Sequence, residues 1–219
     1  MLITDLLPAL RRRPVILVNG MTSRVDHYAD IRDYLKQRGY RDEELYGTTF
    51  GSAGNVSMFS VTMECDFSRR IRELIVAVNS FTNSKVDILA FSMGSPVARK
   101  AILGGICVDT GEELGAPLTS HVDTFVSVAG PNHGSFLCVF SFIRSCNALN
   151  GLICSSTYLA DINSVKRYEG SRIFTIYSKD DEFAGYEVCG RLTTPIDGQD
   201  QGYEVGEILV QVEKYWAQR

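Results

Sequence analysis

The chain has 219 residues, with 45% apolar and 22% charged side chains and a net charge of −4. That length suits one α/β domain with a full core, and residues 1–219 are expected to form a single domain. No basic cluster exists beyond Arg11-Arg12-Arg13, which argues against nucleic acid as a partner, and no apolar run approaches the ~20 residues of a membrane-spanning helix.

Met1 to Leu10 is apolar but interrupted by Asp5, and the arginines follow it rather than precede it. That is the wrong order for a signal peptide. Arg11 to Arg13 reads as a solvated turn before the first strand. Val15-Ile16-Leu17-Val18 is a continuous apolar run of the kind buried on both faces of a sheet. Asp26 to Arg38 reads as a helix, with Gly39 as its stop. Glu44 to Phe50 is a second strand. Cys65 to Phe81 is a helix with Phe67, Ile71, Leu74, Ile75 and Val78 at helical spacing. Val86 to Ala90, Asp123 to Ala129 and Arg172 to Ser178 are the third, fourth and fifth strands, and Glu207 to Ala217 is a closing amphipathic helix. Alternating strands and helices imply an α/β fold, a mostly parallel sheet with helices on both faces. Ligands of such sheets bind beyond the carboxyl ends of the strands.

The third strand runs into Ala90-Phe91-Ser92-Met93-Gly94, and a helical stretch follows. A strand, a sharp turn with serine at its apex and a helix make a nucleophile elbow. Small residues two before and two after the serine permit so tight a turn. The next backbone N–H, that of Met93, then points at a bound oxyanion. The first strand ends at Asn19-Gly20-Met21, where the Met21 N–H is the candidate second oxyanion donor. The fourth ends at Ala129-Gly130-Pro131-Asn132-His133-Gly134, a turn expected to border the same pocket. The fifth ends at Ser178-Lys179-Asp180-Asp181-Glu182, which offers the carboxylate a serine hydrolase needs after a late strand.

Six cysteines, Cys65, Cys107, Cys138, Cys146, Cys154 and Cys189, show no metal-ligand or redox spacing. They read as a disulfide framework and a secreted protein, whose start lies upstream of Met1 unless this form is not exported. Cys138, Cys146, Cys154 and Cys189 are expected to pair among themselves, leaving Cys65 with Cys107. No metal site or nucleotide loop is present, and no cofactor is expected. Phe136 to Ile143 is either an apolar lip beside Ser92 or a buried core helix, and residues 136–170 are a candidate loop or cap region.

The motifs Pro14 to Gly20, Glu44 to Thr49, Val86 to Gly94, Ser127 to Gly134 and Phe174 to Asp181 together resemble the class 2 lipases of the α/β-hydrolase fold, and especially their nematode branch. The likeness runs from Pro14 to about Tyr203 and implies hydrolysis of a small-molecule ester or lipid. It implies Ser92 as nucleophile, Asp181 as triad acid with Asp180 as the alternative, and Met21 and Met93 as the oxyanion hole. Relatives resembling this chain are usually secreted and disulfide-bonded.

The departures are as informative. The family usually has His-Gly after the first strand and His before the nucleophile; here stand Asn19-Gly20 and Phe91. The triad histidine is expected after the acid, before the last helix, yet Gly202 to Leu209 contains none. The chain holds three histidines, His27, His121 and His133. Only His133 lies at the correct end of the sheet, as a displaced base or as an ordinary loop histidine. Two functions follow: an ester or lipid hydrolase, or a catalytically inactive relative that binds lipid or a partner. A further reading takes the stretch from Glu204 as an alternative C-terminus of an active gene.

Overall fold

The strand Val15–Val18 is apolar along its whole length and Val86–Phe91 is buried at every position, and the sheet they build is covered on both sides. The computed structural model describes residues 10–21, 23–50, 57, 60–139 and 143–206. Its six-stranded sheet contains β1 (Val15–Val18), β2 (Leu45–Thr48), β3 (Val86–Phe91), β4 (Val122–Val128), β5 (Arg172–Ser178) and a strand at one edge, Gln201–Val205. The spatial order is β2-β1-β3-β4-β5 and then that edge strand. Every neighbouring pair is parallel. All the strands therefore end at one edge, where the loops that can carry chemistry gather.

Side-chain alternation sorts the core into two layers. Ile16, Val18, Ile88 and Ala90 face one way. There they meet α2 (Cys65–Thr82) through Phe67, Ile71, Ile75 and Val78, and α3 (Gly94–Leu103) through Val97, Ala98, Ala101 and Ile102. The short helix α4 (Thr157–Ile162) adds Tyr158, Leu159 and Ile162 to that layer. Val15, Leu17, Leu89, Phe91, Val126 and Val128 face the other way, onto Ile31 and Leu35 of α1 (Ala29–Gln37). Each fully buried aliphatic side chain in these layers contributes about 1.5–3 kcal/mol of transfer free energy.

The expected elements hold, with local shifts. The first helix opens as a 3-10 turn over Val25–Tyr28 and becomes α-helical at Ala29. The second strand is confined to Leu45–Thr48, and Phe50 beyond it is buried in the core. The edge strand Gln201–Val205 follows a hairpin of β6 (Glu187–Val188) and β7 (Arg191–Leu192), and is β8. The sequence reading did not anticipate it as a strand. The closing helix expected over Glu207 to Ala217 lies outside the described residues. Within 136–170, α4 packs on the core beside α3.

The turn before β1 is built as expected of a solvated basic stretch. Arg11 and Arg12 are exposed, and their backbone N–H groups donate to buried Glu44 Oε1 at 2.6 and 2.9 Å. Three disulfides close loops: Cys65–Cys107, Cys138–Cys146 and Cys154–Cys189. This is the expected pairing. No helix among the described residues is long and apolar enough to cross a membrane.

Candidate active site

Ser92 sits where β3 breaks off and α3 begins, with φ 49°. A non-glycine residue in this left-handed region costs about 1–3 kcal/mol and persists only where its surroundings over-determine it. They do so here. Ser92 N donates to Val128 O at 2.8 Å, which ties the turn to the end of β4. Ser95 N donates to Ser92 O at 2.9 Å, which starts the helix. Gly94 has no room for a side chain: a Cβ would overlap the Asn19 carbonyl and stand 2.9 Å from Val18 O. Gly20 lies against the serine itself, with an added Cβ only 3.0 Å from Ser92 Cβ.

The end of β1 is locked by the side chains of Asn19, Tyr28 and Phe91. Buried Asn19 donates through Nδ2 to Gly20 O at 3.0 Å and Ser23 O at 2.7 Å. Gly20 N donates to Tyr28 Oη at 3.0 Å, and the Tyr28 ring stacks on Phe91 at 4.6 Å. Burial raises the Tyr28 hydroxyl above its ordinary range, so it is neutral and available as a hydrogen-bonding group. Met21 packs half-buried on the core, and Met93 is fully buried. Among the described residues, neither the Met21 nor the Met93 N–H has an acceptor.

Beyond the strand ends, Ser92 lines a cavity of 390 Å³ with Ala129, Asp180, Asp181, Glu182, Phe183 and Ala184. Both candidate carboxylates thus share a wall with the serine. Asp181 accepts the N–H groups of Phe183 and Ala184 on Oδ1, both at 2.9 Å, and so closes its own turn. Asp180 N donates to Ser178 Oγ at 3.0 Å, and that hydroxyl donates to Gly206 O at 3.0 Å. The acid turn is thereby pinned to the end of β8. Ala129 is a residue that sequence reasoning did not single out for strain. Its φ is 49° at the end of β4, and the adjoining Gly130 is the only signal that the chain is crowded there.

The rest of the β4 turn goes inward. Asn132 Nδ2 donates to Ser127 Oγ at 3.0 Å and Thr194 O at 2.7 Å, while Ser95 Oγ bonds Ser127 Oγ at 2.6 Å and Asn132 Oδ1 at 3.0 Å. Asn163 carries the network from Asn132 O to Arg99, which pairs with Glu169 at 2.9 Å, both side chains being almost wholly buried. This polar spine fixes α3 on β4 directly beneath the elbow.

The structure does not bring His133 to Ser92. Its N–H donates to Thr193 O at 3.2 Å, and its ring bonds the Pro195 carbonyl near Arg191, Arg99 and Asp197. Nε2 is buried without a partner. Burial, reinforced by the two arginines, lowers the imidazole pKa to about 4. His121 lies at the amino end of β4, on the opposite edge of the sheet. His27 falls in the 3-10 turn, and its side chain lies outside the description. Glu204, near the expected place of the triad histidine, accepts from Tyr186 Oη at 2.6 Å and pairs with Lys179 at 3.0 Å. These two contacts hold its carboxyl below the usual range. Glu207 lies outside the described residues.

One group among the described residues has ligand-like spacing, Cys65, Cys107 and Asp109. Its cysteines form a disulfide, and Asp109 Oδ2 accepts the Cys65 N–H at 3.0 Å at the start of α2, so the cluster is a helix cap.

A parallel sheet with a left-handed serine between strand and helix, and a carboxylate turn after a later strand, defines the α/β-hydrolase class. Residues 12–213 match the family model for class 2 lipases. The chain belongs to that family, whose chemistry is ester hydrolysis. No curated protein matches it. Among solved structures it resembles lipase B of Aspergillus fumigatus, with 15% identity over 88% of this chain and 44% of that one, at a TM-score of 0.63. It also resembles a monoacylglycerol lipase of Paleococcus ferrophilus (10% identity, 94% and 96% covered, TM-score 0.57). A third likeness is the mature lipase BlEst2 of Bacillus licheniformis (11% identity, 78% and 70% covered, TM-score 0.53). At such identities the likeness is one of fold. The chain spans less than half the length of the Aspergillus enzyme.

Proposed function

We propose that this chain is a carboxylic ester hydrolase acting on lipid, with Ser92 as the nucleophile. The carrying observation is the strained Ser92 turn opening on a cavity that also holds Asp180 and Asp181. Ser92 Oγ attacks the ester carbonyl. The Met21 and Met93 N–H groups receive the oxyanion, and collapse expels the alcohol to leave an acyl-enzyme that water then hydrolyses. Asp181 is the acid of the site and Asp180 its alternative. The three disulfides support a secreted protein, and the shared motifs support the nematode-type branch of the family.

The serine proton needs an acceptor, and His133, turned into the protein, is not one. Glu204 is committed to Lys179 and Tyr186, and a second carboxylate beside Asp181 would be repelled rather than oriented by it. With solvent water taking the serine proton and protonating the leaving alcohol, this chain is a slow hydrolase. In a known serine protease, loss of the serine or histidine costs about 10⁶ in kcat, while binding and the oxyanion hole retain ~10³–10⁴ over water. This absence of a base favours the second reading, an inactive relative that binds the same lipid or a partner.

The test is fluorophosphonate labelling and hydrolysis of p-nitrophenyl butyrate by the wild type, Ser92→Ala, His133→Gln and Glu207→His. We expect weak labelling that Ser92→Ala removes, His133→Gln leaves intact and Glu207→His raises. Glu207 is preferred to Glu204 because Glu204 is already held by Lys179 and Tyr186. Wild-type labelling no stronger than that of Ser92→Ala, with no gain in Glu207→His, would leave the binding reading alone standing.

A further inference from the structure

We propose that Cys154–Cys189 is a site of thiol–disulfide exchange: a dithiol reductant opens it ahead of the other two bridges, and its opening releases the β6–β7 hairpin from the turn that ends β4. The proposal stands on the bridge and the hairpin, and not on the ester chemistry of Ser92.

Exposure sets the three bridges apart. Cys154 and Cys189 are both exposed. Cys138 and Cys146 are half-buried, and Cys65 and Cys107 are 2% exposed in a small core cluster with Leu114. Exchange needs a thiolate to reach a bridge sulfur, so access ranks the bridges in that order. The backbone at Cys189 widens the difference. Cys189 and Gly190 form the two-residue turn between β6 and β7, with φ 61° and 71°. Such a turn suits Asn-Gly or Gly-Gly. A cysteine held there carries backbone strain, which an open bridge lets relax.

The hairpin depends on the bridge. β6 and β7 have two residues each and form a sheet of their own, and a lone hairpin of that size is marginal in water. Its base is fastened to the β4 turn by Thr193, whose carbonyl accepts the His133 N–H at 3.2 Å and whose hydroxyl donates to Gly134 O at 2.6 Å. Its tip is fastened through Cys189, whose sulfur lies 3.0 Å from His133 O. Gly134, at φ 132°, makes room for that sulfur: a Cβ there would stand 2.7 Å from it. The other end of the bridge, Cys154, lies just before Ser156, the N-cap of α4. The chain enters β6 from Phe183 and Ala184 on the wall of the Ser92 cavity, so opening the bridge frees the segment beside that wall.

The inner side of Cys189 Sγ is covered by His133 and Gly134, which leaves Cys154 Sγ as the sulfur attacked. A reductant thiolate bonds to Cys154 Sγ, and the S–S bond breaks with its electron pair leaving on Cys189 Sγ, which takes up a proton. The second thiolate of the reductant then attacks the reductant sulfur of the mixed disulfide and expels Cys154, which is protonated in turn. Two electrons and two protons pass to the bridge, and the reductant leaves as a cyclic disulfide.

The experiment treats the oxidised full-length protein with graded dithiothreitol without denaturant, traps thiols with iodoacetamide and maps them by peptide mass spectrometry. Cys154 and Cys189 should be alkylated at least about tenfold faster than Cys65 and Cys107, and before Cys138 and Cys146. Hydrogen exchange then compares the oxidised protein with the sample in which only this bridge is open, and with the double variant Cys154→Ser, Cys189→Ser. Amides of residues 186–193 should exchange at least about tenfold faster once the bridge is open, with those of α2 and β3 unchanged. The selectively reduced wild type carries this test without any substitution. Opening of either other bridge first overturns the proposal, as does unchanged exchange over 186–193 in the opened protein. A rise shared equally by α2 and β3 makes the bridge a support of the whole fold and also overturns it.

Discussion

His133 should make the protein acid-sensitive, and the size of the effect follows from its surroundings. The ring is 7% exposed and Nε2 is unpartnered. Burial first, then Arg191 and Arg99, oppose its protonation; Asp197 and the Pro195 carbonyl favour it but do not prevail. The folded chain therefore takes up the proton near pH 4, whereas the unfolded chain takes it up near 6.5. Between those values the unfolded state holds the extra proton, so stability falls as pH falls through this window and levels off below it. At about 1.4 kcal/mol for each tenfold in proton affinity, the loss reaches about 2.5 kcal/mol by pH 4.5 and about 3 kcal/mol by pH 4. Guanidinium unfolding without reductant, followed by circular dichroism from pH 7.5 to 4.5, measures it. His133→Gln removes the titrating group at similar size, so the gap between wild type and variant should shift by that amount in the variant's favour as pH falls. Parallel pH profiles for the two proteins, or a His133 NMR titration near 6.5, would refute the reasoning. The second result would also reopen His133 as a candidate base.

Gly94→Ala places a methyl group on the Asn19 carbonyl and should destabilise the fold by about 2–4 kcal/mol, seen as a lowered guanidinium midpoint. Gly20→Ala, tight only against Ser92 and Phe91, should cost less stability and instead reduce fluorophosphonate labelling further. Arg99→Met leaves Glu169 charged, buried and unpaired, at a cost of about 3–5 kcal/mol. The pair Arg99→Met, Glu169→Leu should recover most of that loss, and a double variant as unstable as Arg99→Met alone would show that the Glu169 charge is not the cause.

The parts of the fold that could be read from the sequence are those whose physics is local. β1, β3, β4 and β5 lie between two layers of the core, so apolar residues face both ways along them, from the unbroken Val15–Val18 to β5, where Ile173, Phe174 and Ile176 stand among polar residues. The elbow could be read because the turn itself demands small residues at Ala90 and Gly94. β8 could not. It lies at the sheet edge with Gln201 and Glu204 exposed, and its identity as a strand depends on pairing with Phe174 to Ser178, a register that no local pattern announces. The spine under the elbow was hidden for the same reason. Arg99 and Lys100 look like a solvated helix face, yet both are 1% exposed. Their partners, Glu169 and Asp161, arrive from more than sixty positions away.

The same division runs through the candidate site. The Ser92 turn is shaped where three neighbouring strand ends meet, by the crowding of Gly20 and Gly94 and by the Val128 carbonyl, whereas the Asp181 turn is closed by its own N–H groups. A base is different, because an imidazole must be delivered by another segment to within hydrogen-bond reach of both Ser92 and the acid. The segment that reaches this edge is β8, and Ser178 Oγ donates to the carbonyl of the residue after it, Gly206 O, beside the acid turn. The backbone thus arrives at the acid without a histidine on it. His133, which starts from a neighbouring strand end, is drawn the other way by Thr193 and Pro195. The strain at Ser92 costs folding free energy whether or not a proton can be removed from its hydroxyl.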